Sequence, residues 1–168
     1  MEFALIAPLM IAIYFGVAVL SGAVMAQKRT SRIASTIGDL AAGATILSPA
    51  DLADIFAAGD ALLSPADPAA LQMRLSSVQE NAQGVVTVAW SQQIRWTPLA
   101  VGGPYAGPAT ALLAPGQSII IAEAHYQYSS PVQDLQLSWL PIPGTKPFDE
   151  VFYLAPSQVA AVTCPQCH

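Results

Sequence analysis

FALIAPLMIAIYFGVAVLSGAVMAQ, running from Phe3 to Gln27, decides how the rest of this chain is read. The stretch holds no Asp, Glu, Lys, Arg or His, and Leu, Ile, Val, Ala, Met and Phe dominate it. At ~1.5 Å rise per residue, a helix of that length extends roughly 37 Å, enough to cross a hydrocarbon core of about 30 Å. A cleavable secretory signal would start with basic residues and carry a shorter apolar core. Here the chain opens Met1-Glu2 with no Lys or Arg, and the apolar run is longer than such a core, although Val24-Met25-Ala26 offers small residues for cleavage. A buried core helix would carry an amphipathic break. The pattern therefore predicts a transmembrane anchor over residues 1–27.

Beyond the anchor, Ile33, Ile37, Leu40, Ala44 and Leu47 recur at steps of four, three, four and three, which is the spacing of one helical face. Ser31, Arg32, Ser35, Thr36 and Asp39 supply a polar opposite face. The spacing predicts an amphipathic continuation over 28–47, so that one helix runs from about Phe3 to Ala44, with Pro8 as a candidate kink. Leu47-Ser48-Pro49-Ala50-Asp51 then returns as Leu63-Ser64-Pro65-Ala66-Asp67. In each copy Ser is a candidate N-cap, Pro suits the first helical position, and Asp suits the positive helix end. Two short helices are expected, near Ala50–Ala58 and Ala66–Ser76.

The period then changes. Val85–Ser91 and Ile119–Tyr128 are rich in β-branched and aromatic residues and read as strands, with Leu135–Leu140 and Glu150–Leu154 as shorter candidates. Between the first two strands, Pro98, Gly102-Gly103-Pro104, Gly107-Pro108 and Pro115-Gly116 mark a long loop. The expected fold class is α+β: a long N-terminal helix, short helices, and a small antiparallel sheet within 48–168.

Charge is sparse and unevenly placed. Charged residues make up 10% of the 168 residues and hydrophobic ones 54%. Lys28, Arg29 and Arg32 follow the apolar span, whereas the chain beyond Ile33 holds ten acids and three bases. Such an acidic domain lacks the basic footprint of a nucleic-acid binder. The three cations also sit where positive charge normally marks the cytoplasmic side. Glu2, at the edge of the apolar helix, has two readings. It lies in the headgroup region at the positive end of the helix dipole, or it pairs with a cation of a neighbouring subunit.

Chemistry-bearing motifs are few. Gly102-Gly103-Pro104 lacks the Lys-Ser/Thr and following helix of a phosphate loop. His125 alternates within a strand with no nucleophile nearby in sequence, so no catalytic residue is assigned. Trp90, Trp96, Trp139, Tyr126 and Tyr128 read as sheet packing, with a subunit contact as the alternative. The chain closes Cys164-Pro165-Gln166-Cys167-His168. This matches the C-x-x-C-H pattern of covalent haem attachment, with Met73 or His125 as a second iron ligand. A disulfide between Cys164 and Cys167 in an oxidising compartment is the plainer reading, and bridging to another chain is a third. No metal site and no cofactor are otherwise called for.

Glu2-Phe3-Ala4-Leu5, Pro8, Gly16 and Gly22 resemble the opening of TadE-like minor pilins of the tight-adherence pilus. Lys28-Arg29-Thr30-Ser31-Arg32 and Ser35-Thr36-Ile37-Gly38-Asp39-Leu40 are similar to that family's helix exit. Val86–Ser91, and Ala122–Tyr128 with Pro131 after it, are similar to its sheet segments. The resemblance implies a single-pass protein of the bacterial inner membrane with its domain in the periplasm. Its implied partners are the lipid bilayer, other pilin subunits and the assembly machinery of an adhesive pilus. Prepilins of this kind carry a basic leader, a glycine at the cleavage point and a glutamate at the fifth mature position. Glu2 matches the glutamate; either an in-frame extension upstream of Met1 supplies the leader and glycine, or this copy is not processed. The same leader would balance the charges that follow the span.

Overall fold

The computed structural model describes residues 3–81, 83–114, 116–130 and 145–167. One uninterrupted helix, α1, spans Phe3–Ala42. It ends two residues short of the expected Ala44. Gly43 and Ala44 close its last turn on Asp39 and Ala41. The backbone at Thr45 and Leu47 bonds instead to Thr163, near the end of the chain. A helical continuation would take those groups away from this pairing.

The second helix, α2, spans Pro49–Leu63 and starts as its sequence predicts. The Ser48 side chain accepts from the Asp51 N–H at 3.2 Å, and the Asp51 carboxylate accepts from the Ser48 N–H at 2.8 Å and its hydroxyl at 2.7 Å. Two orphan donors at the helix start are thus satisfied reciprocally. The bonds from Ser48 hold the Asp51 carboxyl below its ordinary pKa.

The second copy of the motif does the opposite. Ser64 is the C-cap of α2, and no helix follows over Ala66–Ser76. Asp67 caps only a three-residue 3-10 turn, Pro68–Ala70, and the chain then enters strand β1, Leu71–Glu80. The expected second short helix is therefore wrong. Its place is taken by a strand whose Leu71, Met73 and Leu75 are fully buried and alternate with the half-buried Gln72 and Arg74. That is a period of two, not of 3.6.

Strands β2 (Val86–Ile94), β3 (Ser118–Ser129) and β4 (Thr145–Leu154) complete an antiparallel sheet in the order β2-β1-β3-β4. The antiparallel α+β architecture is as expected, with β4 longer than its sequence signal. The candidate strand Leu135–Leu140, Pro131 and Trp139 lie outside the described residues.

The lower half of α1 lies across β3 and β4, with α2 beside it. Ile33, Ala34, Ile37 and Ala41 have no exposure and meet the inward row Ile120, Ala122, Ala124 and Tyr126 of β3. Two glycines set how closely the layers approach. A methyl group on Gly38 would lie 2.5 Å from Leu154 Cδ1 and 2.9 Å from the Ala122 side chain. One on Gly59 would lie 2.5 Å from the Met73 sulfur.

The other sheet face carries a second, smaller core. Val78, Val86, Val88, Ile119 and Ile121 are covered by Leu99, Tyr105, Ala109 and Leu113 of the long loop. Burial, together with the Tyr153 hydroxyl beside it, pushes the Tyr105 phenol far above its usual pKa. The same loop pairs with the edge of β2 through Val88 N–H to Gly103 O at 3.0 Å and Tyr105 N–H to Val86 O at 2.8 Å. That pairing blunts an edge otherwise open to other strands.

Candidate functional site

The feature that sets this molecule apart is what α1 leaves uncovered. Ile6, Leu9, Met10, Ile13, Tyr14, Val17 and Leu20 are each more than half exposed. The most apolar window of this helix has a mean hydropathy of 2.2, yet only 6% of it is buried. A soluble core helix of that composition would be covered. In water such a continuous apolar surface is far beyond the few hundred Å² that monomers tolerate.

Continuous coverage begins around Gly22 to Ala26, where the helix meets the domain, with Val19 alone buried above it. Arg29 donates from Nη1 to the Leu63 carbonyl at 3.4 Å. Leu63 ends α2, whose last carbonyls have no helical donor and whose last turn contains no basic residue of its own. Arg29 supplies the positive charge from the neighbouring helix. Lys28 and Arg32 flank it and are exposed. With Met25 and Leu62 the three cations line a groove of about 240 Å³. On the other side of Met25 and Arg29 lies a second groove of about 200 Å³, lined by Gly22, Ala26, Leu63, Ala66, Tyr126 and Tyr128. The Tyr128 hydroxyl packs where a side chain on Gly22 would stand, so Gly22 admits it. Burial raises the pKa of the Tyr126 phenol above its usual value, so it stays a neutral hydrogen-bonding group.

A separate polar cluster occupies the outer sheet face. Arg74 and Glu123 are register partners on β1 and β3 and form a two-pronged ion pair at 2.5 and 2.7 Å. The Arg74 guanidinium stacks 4.6 Å from the Trp96 ring and donates to the Thr97 carbonyl at 3.0 Å. His125 contacts Asp149 through Nδ1. Each of these groups is satisfied by another, and none is arranged as a nucleophile with its base. Among the described residues, no three His, Cys, Asp or Glu side chains gather to hold a metal.

The terminal cysteines are joined to each other, with Cα atoms 5.3 Å apart. Both are buried, at 8% and 4% exposure, and belong to the main core. The segment leading to them is strapped down by Trp90 Nε1–H to Val162 O and Ser118 Oγ–H to Ala160 O, both 2.9 Å. Covalent haem attachment needs both sulfurs, which here are bonded to one another. The two other residues considered for iron point to opposite sides of the sheet. Met73 pairs with Ala124 on the inner face and packs under Gly59, while His125, one residue on, is on the outer face. The haem alternative is not supported. His168 and Glu2 lie outside the described residues.

Sequence reasoning singled out the two ends of the chain, but the structure gathers cations, tyrosines and a helix end at residues 22–32. Lys28, Arg29 and Arg32 were legible as a charge cluster. Their meeting with α2, and that of Arg29 with the end of β3, was not.

Together these features define a class: an acidic α+β domain carried on one N-terminal helix that is apolar and long enough to cross a membrane. Residues 1–37 match the family model described as TadE-like protein, so the opening of the chain is TadE-like. The match covers the exposed half of α1 and the first turns packed on the sheet, and stops before the sheet segments. Comparison with curated proteins and with solved structures gives no match.

Proposed function

We propose that this chain is a membrane-anchored minor pilin or pseudopilin-like subunit supporting assembly of a tight-adherence pilus used in surface attachment. In this reading residues 1–27 are a single-pass anchor in the bacterial inner membrane, 28–47 connect it to the domain, and 48–168 form the domain in the periplasm. The observation that carries the reading is one continuous helix, TadE-like as far as Ile37, whose first half is apolar and largely exposed while its second half is built into a sheet domain. Such a helix suits both lipid and the apolar core of a filament, so one subunit can pass between the two. Glu2 is the residue assigned to subunit pairing, and Cys164–Cys167 the disulfide that suits an oxidising compartment. Its partners are then the bilayer, other pilin subunits and the assembly machinery.

The test is deletion of the gene and complementation with the full chain. Loss of surface pili by electron microscopy, restored by the wild-type chain, together with co-purification of the major pilin, supports the role. Normal piliation in the deletion strain would sink it. Protease added to spheroplasts should remove the domain; its survival would place the domain on the cytoplasmic side.

A further inference from the structure

We propose that the paired grooves around Met25 and Arg29 form a binding site for an anionic phospholipid, whose phosphate is held by Lys28, Arg29 and Arg32. The inference deepens the membrane-anchor reading and rests on it.

Position comes first. The uncharged run ends at Gln27, and the three cations follow within five residues. An anchor of that length sets them at the depth of the headgroups. Charge comes second. Three of the six bases of the chain stand here, beside a domain with ten acids. Among the described residues Lys28 and Arg32 have no ion-pair partner, and Arg29 uses one N–H on Leu63, leaving its other donors. By contrast, Arg74 and Arg95 each face a carboxylate.

Shape comes third. The groove on the Lys28 and Arg32 side is bounded by the exposed side chains of Met25 and Leu62. The groove on the Gly22 side is mainly apolar, with the Tyr126 and Tyr128 rings at its wall. Both share Met25 and Arg29, so a cationic half joins an apolar half at one point. A phospholipid has that division: a phosphate at one end of the glycerol and acyl chains at the other. Tyrosine is one of the two aromatic residues enriched at this depth. Free phosphate would use the cations and leave the apolar groove empty.

The site also accounts for cations on what is proposed to be the outer side of the membrane. They act as ligands and helix-end partners there, not as an orientation signal.

The experiment uses the full chain in vesicles of equimolar phosphatidylglycerol and phosphatidylcholine, extracted gently and weighed by native mass spectrometry. The wild type should retain phosphatidylglycerol in preference to phosphatidylcholine. Each basic residue near an anionic surface is worth about fivefold in affinity, so Lys28→Gln with Arg32→Gln should cut that preference on the order of 25-fold. Neither side chain holds another part of the fold, so the circular dichroism spectrum should be unchanged. Should the double variant misfold, Lys28→Gln alone carries the test at about fivefold. A chain that inserts but retains both lipids equally overturns the site, as does a double variant with undiminished preference. Displacement of the lipid by excess inorganic phosphate overturns it in favour of a free-anion site. Cross-linking of Lys28 to a second copy in pure phosphatidylcholine overturns it in favour of a protein carboxylate. Failure of the anchor itself reads out differently: the wild type would wash off vesicles of either composition in carbonate.

Discussion

The two halves of α1 share a backbone and a helical continuity but little else. Above Gly22 the helix is apolar and, among its described side chains, exposed apart from Val19 and a few half-buried residues; below it, a single stripe of Ala26, Ile33, Ala34, Ile37 and Ala41 is sealed against the sheet. The upper half keeps its large side chains, Leu9, Met10, Tyr14 and Leu20, pointing outward. The lower half turns polar residues outward and uses Gly38 to let the backbone sit on Ala122 and Leu154. Burial inside the protein demands complementarity with particular neighbours, whereas burial in lipid demands only the absence of charge. Substitutions should therefore separate the two halves cleanly.

The largest separation is expected from truncating an isoleucine in each. Ile37→Ala removes a fully buried side chain and should cost about 2–5 kcal/mol of domain stability in denaturant titrations of the full chain in detergent. Ile13→Ala, 53% exposed in the wild type, should stay within about 0.5 kcal/mol. Equal losses would mean that the upper half also packs within the protein.

Charge gives the reverse test. Ile11→Asp should weaken membrane insertion by about 3 kcal/mol, seen as release from carbonate-washed membranes, while the domain melts as before. Wild-type protein found in the soluble fraction after gentle lysis would defeat the anchor.

Glycine provides an intermediate effect. A methyl group on Gly38 collides with Leu154 and Ala122, so Gly38→Ala should destabilise by about 1–3 kcal/mol. Gly16 has nothing within 4 Å, so Gly16→Ala should leave domain stability unchanged and strengthen the helix by up to ~1 kcal/mol. Melting curves of the two variants side by side settle which glycine is structural.

Smaller effects sharpen the boundary below the helix. Ser48→Ala should cost about 1 kcal/mol by removing the cap of α2. It should also alter the acid limb of stability. The Asp51 carboxyl is lowered in the fold by its bonds from Ser48, so its contribution is present above the unfolded pKa and is lost as pH falls through the folded one. The difference between wild type and variant should thus shrink on acidification below about pH 4. Replacing both terminal cysteines by Ser should lower stability by about 1 kcal/mol, since so short a loop constrains the unfolded chain little. The intact mass of protein prepared without reductant should be two hydrogens below that of the reduced chain.

Much of the fold is legible from short-range patterns. The uninterrupted apolar run, the step of four from Ile33 to Ile37, and the β-branched runs of β2 and β3 each impose a period that the backbone obeys; further along the predicted face Leu40 is 48% exposed, and Ala44 and Leu47 lie past the end of α1. The repeated motif shows where such reading stops. Leu47-Ser48-Pro49-Ala50-Asp51 opens a helix, while the same five residues at Leu63–Asp67 close one. What differs is the chain that follows. Leu52-Ala-Asp-Ile-Phe buries Leu52, Ile55 and Phe56 on one helical face, while Leu71-Gln72-Met73-Arg74-Leu75 alternates. Capping chemistry ends up subordinate to the periodicity beside it. The alternation from Leu71 to Leu75 is present in the sequence and outweighs the helix-start signal before it.

The sequence by itself determined which segment lacks charge, where the cations fall, how α2 begins, and that a sheet follows helices. These depend on residues within a few positions of one another. Only the tertiary structure decided that β1 lies between β2 and β3, that Arg29 meets the end of α2, and that Tyr126 and Tyr128 stand beside Gly22. Those contacts join residues tens to about a hundred positions apart, and they form because buried area and unpaired backbone groups are satisfied across the whole chain at once.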